Sequence, residues 1–64
     1  MKVKCEYRTF LGKTKIKTDK IPDEHYKRMK KVAESQGYSF EEWVEVAKRQ
    51  VHKERFIKVW FIYS

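Results

Sequence analysis

The sequence predicts a small α+β domain made of a β-hairpin, two helices and a final strand, with the helices packed on one face of a small antiparallel sheet. Three observations support this: polar and apolar residues alternate over 2–10 and 13–18, helical stripes flank Gly37, and 55–63 is a β-rich apolar run. The chain has 64 residues, which is the size of a single domain, 1–64. Its hydrophobic content of 41% is enough to build a core, so the composition is not that of a disordered chain.

The first two strands are predicted from side-chain alternation. Over 2–10, one side carries Val3, Cys5, Tyr7 and Thr9, and the other carries Lys2, Lys4, Glu6, Arg8 and Phe10. The run 13–18 alternates again, and a short loop containing Gly12 joins the two runs, which is typical of a hairpin. We expect the basic residues of both strands to share the solvent face of this hairpin: Lys4, Arg8, Lys13, Lys15 and Lys17.

Two amphipathic helices are predicted after the hairpin. Pro22 indicates the start of the first helix because its fixed φ suits the first turn, and Gly37 indicates its end because glycine tolerates the left-handed conformation there. Ser39 and Glu42 have the spacing of a capping box and predict the start of the second helix. The apolar stripe of that helix consists of Phe40, Trp43, Val44, Ala47 and Val51.

The last predicted strand is apolar on both faces, so it needs cover on both sides or a partner. Along 55–63, one side carries Ile57, Val59, Phe61 and Tyr63, and the other carries Phe56, Lys58, Trp60 and Ile62. One layer of helices on one sheet is expected to bury Val3, Cys5, Tyr7, Ile16, Met29, Phe40, Trp43, Val44, Ala47, Ile57, Val59 and Phe61.

The sequence lacks the residue combinations that carry catalysis or hold cofactors. His25 and His52 have no cysteine or carboxylate at metal-ligand spacing, and Cys5 falls on the predicted core side of a strand. There is no glycine-rich phosphate loop, so we expect a non-enzymatic protein without metal or cofactor. No apolar run approaches the ~20 residues of a transmembrane helix, so we expect no membrane association. A single cysteine cannot form an internal disulfide, which favours a reducing cytoplasm.

The distribution of charge is the feature that most restricts the possible classes of function. Net charge is +7, and residues 1–20 hold seven basic and two acidic residues. A concentrated basic surface attracts polyanions, with nucleic acid first among them. If the last strand pairs with the hairpin, one sheet face would place Lys4, Arg8, Lys15, Lys17 and Lys58 around Phe10, Phe56 and Trp60. Such a face suits single strands or RNA. The alternatives are an acidic protein partner, a dimer interface over Trp60 and Phe56, and a basic surface that serves only solubility.

The segment 13–51 carries a family resemblance. It contains a short basic strand, then Ile21-Pro22-Asp23-Glu24, then an apolar helix, then Gly37-Tyr38-Ser39-Phe40-Glu41-Glu42-Trp43-Val44. This order resembles the ribbon-helix-helix family, the Arc and CopG class of repressors. In that family two chains pair their strands as an antiparallel ribbon that enters the DNA major groove. The resemblance implies a DNA-binding homodimer, with Ile16, Thr18 and Lys20 directed toward the DNA and with Tyr38 and Ser39 at a phosphate.

Two features depart from the family pattern. The alternation of the second strand favours the opposite face, led by Lys13, Lys15 and Lys17, and a one-residue shift in register exchanges the faces of a strand. Family members also rarely have a strand before this segment and a strongly apolar strand after it. A different domain with two strands, two helices and one strand is therefore the alternative interpretation.

The resulting hypothesis is a small non-enzymatic nucleic-acid-binding protein, most simply a dimeric DNA-binding transcriptional regulator that uses its Lys-rich strand. The candidate binding residues are Lys4, Arg8, Lys13, Lys15, Lys17, Thr18, Lys20, Ser39, Lys58 and Trp60. DNA is the expected partner, with RNA or single strands as alternatives. The rival hypothesis is a protein-interaction module, such as a viral inhibitor or adaptor of a host enzyme, that binds through Phe56, Trp60 and Ile62 of the apolar last strand.

Overall fold

A computed structural model of the protein describes residues 1–63. Its elements, in chain order, are strand β1 (Lys2–Arg8), strand β2 (Thr14–Lys20), helix α1 (Asp23–Ser35), helix α2 (Phe40–His52), a short 3₁₀-helix (Lys53–Arg55) and strand β3 (Phe56–Ile62). The strands form one antiparallel sheet in the order β2-β1-β3. The predicted α+β class and element order are therefore confirmed.

The hairpin between β1 and β2 closes through a three-residue loop, 10–12. The backbone N–H of Thr9 donates to the carbonyl of Lys13 at 2.6 Å, and Gly12 supplies the left-handed φ of 81° that such loops require. Because the loop has an odd number of residues, odd-numbered residues of β1 pair with odd-numbered residues of β2.

This register corrects the predicted distribution of lysines. Lys17 pairs with Cys5 and Lys15 pairs with Tyr7, so both lysines lie on the side of the sheet that faces the helices. Lys4 and Arg8 lie on the other side, opposite Thr18 and Thr14. The expectation that these lysines share one face with Lys4 and Arg8 is therefore wrong, because cross-strand partners always share a face.

Helix α1 begins and ends where the sequence predicts. Pro22 precedes it with a φ of −62°, and Gly37 follows it with a φ of 82°. The N–H of Tyr38 donates to the carbonyl of Ala33 at 3.0 Å, and the N–H of Gly37 donates to the carbonyl of Glu34 at 3.1 Å. These two bonds form a Schellman motif, which satisfies the last carbonyls of the helix.

Helix α2 begins with the predicted capping box. The Oγ of Ser39 accepts the backbone N–H of Glu42 at 3.2 Å, and a carboxylate oxygen of Glu42 accepts the backbone N–H of Ser39 at 3.4 Å. This exchange satisfies two backbone donors at the start of the helix.

The core is smaller than the sequence predicts, because the helices lie over β1 and β3 and leave β2 uncovered. The buried side chains are Val3, Cys5, Ala33, Phe40 and Val44. Half-buried around them are Tyr7, Met29, Trp43, Val59 and Phe61. Ile16, Ala47 and Ile57 are exposed, contrary to prediction. Ile16 is exposed because even-numbered residues of β2 lie on the side of the sheet away from the helices.

A β-bulge at the start of β3 corrects a second prediction. Glu6 pairs with Lys58 while Tyr7 pairs with Phe56, so Ile57 is an extra residue that shifts the alternation. The shift moves Phe56 to the helix side, where the guanidinium of Arg49 lies 4.6 Å from the centre of its ring. Phe56 is therefore separated from Trp60 and Ile62, with which the sequence had grouped it.

Candidate nucleic-acid interface

The side of the sheet away from the helices is a basic surface, which we call the open face. Its residues are Lys2, Lys4, Glu6 and Arg8 of β1, Thr14, Ile16, Thr18 and Lys20 of β2, and Lys58, Trp60 and Ile62 of β3. Five of these are cations and one is a carboxylate, so the face carries a net charge of +4. Strand pairing fixes the spacing of this charge, because each residue stands opposite its cross-strand partner.

Trp60 lies among these positive charges, on the edge strand β3. Lys4 stands directly opposite Trp60 on β1, and Thr18 stands opposite Lys4 on β2. The ammonium of Lys58 lies 5.1 Å from the Trp60 ring centre and 3.9 Å from a carboxylate oxygen of Glu6. Because the Lys58 side chain is 65% exposed, its ion pair with Glu6 is weak and leaves it able to bind an anion.

The structure brings together six of the ten candidate residues: Lys4, Arg8, Thr18, Lys20, Lys58 and Trp60 lie on the open face. Lys15 and Lys17 lie on the helix side of β2, and Lys13 lies at the end of the hairpin loop. Ile16, Thr18 and Lys20 share the open face, which is the side that the family resemblance assigned to DNA.

Ser39 lies apart from the sheet, at the start of α2. Its Oγ both accepts the backbone N–H of Glu42 and donates to the Glu42 carboxylate at 3.0 Å, so the hydroxyl is engaged in capping. One contributor to the open face, Lys2, was missing from the predicted set. Its alternation with Lys4 was the signal that could have found it.

The helix side of β2 is tied to α2 by one ion pair. The ammonium of Lys48 donates to a carboxylate oxygen of Asp19 at 2.7 Å. This hydrogen bond lowers the pKa of Asp19 below its ordinary value of 3.8, although partial burial opposes the shift. Between β2 and the helices lies a mostly apolar groove of about 380 Å³, which includes Met29, Trp43 and Val51.

Cys5 is a free cysteine, and it is buried. Burial raises the pKa of the Cys5 thiol, so it stays protonated at neutral pH and is a poor nucleophile. Over residues 1–63, no three His, Cys, Asp or Glu side chains come close enough together to hold a metal ion. In the same described part of the chain, neither helix is long and apolar enough to cross a membrane.

Comparison with known proteins gives no relative for this chain. No protein-family model, curated protein sequence or solved structure matches it.

Proposed function

We propose that this protein is a small, non-enzymatic DNA-binding protein that contacts the phosphate backbone through the open face. The observation that carries the proposal is the net charge of +4 on the sheet surface that lies away from the helices. Lysine and arginine side chains on such a surface displace the counterions of DNA, which is the main source of non-specific affinity.

The position of Trp60 supports a second component of binding. Its ring is half-buried and lies beside Lys58, with Lys4 directly opposite on β1. An indole in this position can pack against a sugar or stack on an exposed base while the two lysines hold the neighbouring phosphates. Transcriptional regulation follows as a role if the contact is sequence-specific.

The test removes charge from the open face and measures the salt dependence of binding. Lys4→Gln with Lys58→Gln is expected to reduce the slope of log affinity against log salt concentration by about 2, since each phosphate contact contributes about 0.9. Fluorescence anisotropy with labelled duplex DNA, single-stranded DNA and RNA measures this slope. If the protein binds single-stranded DNA or RNA more tightly than duplex DNA, the more tightly bound species becomes the expected partner.

A matched control separates a local contact from overall charge. Lys27→Gln with Lys30→Gln removes the same charge from exposed positions of α1. If this control lowers the slope as much as the open-face variant does, or if no nucleic acid binds at low salt, the proposal is wrong. A Lys15→Glu with Lys17→Glu variant shows separately whether the helix side of β2 takes part.

Dimerisation is part of the same proposal. The outer edge of β2 has no strand partner within residues 1–63, so the β2 strand of a second copy could pair with it in an antiparallel arrangement. The two open faces would then form one continuous surface, in the manner that the ribbon-helix-helix resemblance implies. Sedimentation equilibrium measures the oligomeric state. If the protein is a monomer at the concentrations that bind DNA, the proposed dimerisation is wrong.

A protein partner is the second candidate, and the apolar groove favours it. The groove lies beside the free edge of β2, and Val51 in it is 72% exposed. An acidic extended segment of another protein could add to β2 as a fourth strand and cover this groove, with its carboxylates near Lys17. In a Trp60→Phe variant, Trp43 alone reports on the groove. An alternating Glu-Val peptide should then shift its fluorescence, and no shift would reject this candidate.

A further inference from the structure

A second concave surface lies at one end of the molecule, between the hairpin loop and the end of α2; we call it the end cleft. Its volume is about 700 Å³, which is within the usual range of small-ligand sites, roughly 300 to 1,000 Å³. The hairpin supplies one wall, and the segment 51–55 supplies the other.

The end cleft is strongly basic. Four cations line it, Arg8, Lys15, Lys53 and Arg55, against one carboxylate, Glu54, which gives a net charge of +3. Within the described residues, none of the four cations forms an ion pair, because the three salt bridges involve other lysines and arginines. Four unpaired cations around one concavity repel one another, and an anion would relieve this repulsion.

Favourable interaction with the dipole of α2 accounts for only some of the cations in the end cleft. Lys53 and Arg55 follow the C-terminus of the helix, where cations are favourable. Arg8 and Lys15 come from the hairpin, so the helix terminus does not account for their presence in the cleft.

Aromatic rings accompany the charge. The rings of Tyr7 and His52 stack with their centres 4.2 Å apart and their planes 12° from parallel. Phe10 is 86% exposed, and the guanidinium of Arg55 lies 5.8 Å from the centre of its ring. Exposed aromatic and guanidinium planes are surfaces on which nucleobases stack.

We propose that the end cleft binds one unpaired nucleotide, with its phosphate held by the four cations and its base stacked against Phe10 or Arg55. A nucleotide joins a planar aromatic group to an anion, which are the two features that the cleft presents together. An inorganic anion alone would leave the rings without a role, and an apolar ligand would leave four charges unpaired.

The end cleft continues the open face, and the inference rests on the proposed DNA binding. Arg8 belongs to both surfaces, because it is the last residue of β1 on the open face and also lines the cleft. DNA lying on the open face can therefore pass a strand end or an unpaired nucleotide into the cleft. The protein should accordingly prefer a duplex that carries a single-stranded overhang to a blunt duplex.

Fluorescence anisotropy with two labelled probes tests this preference: a short blunt duplex, and the same duplex with an overhang of a few nucleotides. The wild-type protein should bind the overhang probe at least about fivefold more tightly, which is the low end of the contribution of one stacked base. Phe10→Ala with Arg55→Gln should abolish this preference and leave affinity for the blunt duplex within about twofold.

The control is Leu11→Ala with Arg28→Gln. Leu11 is the neighbouring loop residue and is 82% exposed, and Arg28 is an exposed arginine of α1, so size and charge change as in the test variant. We expect this control variant to keep the preference for the overhang probe. Circular dichroism checks that both variants keep the fold, which their exposed positions favour.

The outcomes separate the two proposals. Equal wild-type affinity for the two probes, or an overhang preference that survives in Phe10→Ala with Arg55→Gln, would overturn the nucleotide site while DNA binding through the open face stands. Loss of the preference in the control as well would also overturn it. Failure of the wild-type protein to bind either probe at low salt would overturn both proposals.

Discussion

At the scale of single residues, Lys53 has the most unusual backbone. It follows α2 with a φ of 52° and a ψ of −122°, and among the described residues it is the one non-glycine residue with a positive φ. A Cβ atom makes a positive φ unfavourable, so only glycine adopts it readily. Backbone strain of this kind is often found at functional sites. Lys53 lines the end cleft, so the strained backbone and one of the four unpaired cations coincide.

Replacement of Lys53 by glycine is expected to stabilise the protein. Removing Cβ relieves the positive φ, and we expect the free energy of unfolding to rise by about 1 kcal/mol or less. Urea denaturation measures the change as a higher midpoint with an unchanged slope.

Glu54→Gly is the matched control for this change. Glu54 is the next residue and has no positive φ, so glycine there should lower stability by about 0.5 to 1 kcal/mol through added freedom of the unfolded chain. If the two variants change stability in the same direction, the conformation of Lys53 is not strained.

At the scale of elements, β2 is the strand with the least tertiary support. Six of its seven residues are exposed, and Asp19 is the exception. Its backbone is held by β1, and the ion pair from Lys48 fixes its helix side to α2.

Asp19→Asn is expected to weaken the protein in a pH-dependent way. The Lys48 hydrogen bond lowers the pKa of Asp19 in the folded state, so its contribution is complete above the ordinary value of 3.8 and is lost as pH falls through the lower folded value. Because both side chains are partly solvated, we expect a difference from wild type of about 0.5 to 1 kcal/mol at neutral pH. Urea denaturation from neutral pH down to acid should show this difference shrinking toward zero.

The control for the ion pair is Glu45→Gln. Glu45 lies 3.7 Å from Arg49 on the exposed side of α2, and both side chains are about half-exposed or more. Its loss should change stability by less than about 0.5 kcal/mol. If the stability difference between Asp19→Asn and the wild-type protein stays constant down to acid pH, the charge of Asp19 is not its cause.

At the scale of the whole molecule, stability depends on a very small core. The protein measures 37 × 25 × 12 Å, and five hydrophobic side chains are buried within residues 1–63. Phe40 is at the centre of this core: its ring meets Tyr26 edge-on at 4.7 Å and Phe61 at 5.8 Å, between ring centres. A chain of this length is expected to have about 3 to 10 kcal/mol of total stability.

Phe40→Ala is therefore expected to remove a large fraction of the stability of the domain. Loss of a buried phenylalanine costs about 3 to 5 kcal/mol, which is about half of the expected total or more. Trp43→Ala should cost less, although tryptophan is larger, because Trp43 is half-buried at the edge of the apolar groove. Thermal melts followed by circular dichroism measure both, and a larger effect at Trp43 would contradict the described core.

Sequence alone was sufficient for the order of the strands and the two long helices, and for both ends of α1 and the start of α2. Pro22, Gly37 and the Ser39–Glu42 capping box act through local backbone geometry, so their positions predict helix ends without knowledge of the rest of the fold. Alternation likewise predicts strands, because it depends only on the two-residue repeat of an extended chain.

The distribution of residues between the two sheet faces could not be predicted from the sequence. It depends on whether the loop before Lys13 holds two residues or three, and on the bulge at Ile57, and neither follows from alternation. Ile16 and Phe56 were therefore placed on the wrong sides. The open face was found in part, because Lys4, Lys58 and Trp60 do not depend on the register of β2.

The pairing of β1 with β3 has a consequence for synthesis of the chain. Lys2 pairs with Ile62 and Val3 pairs with Phe61, so the central strand is made first and one of its two neighbours last. The hairpin and both helices leave the ribosome while one edge of β1 is still unpaired and Phe40 still lacks its contact with Phe61. Folding is therefore completed only after β3 emerges, and a chain stalled before Phe56 would present an open strand edge to proteases, chaperones and other nascent chains.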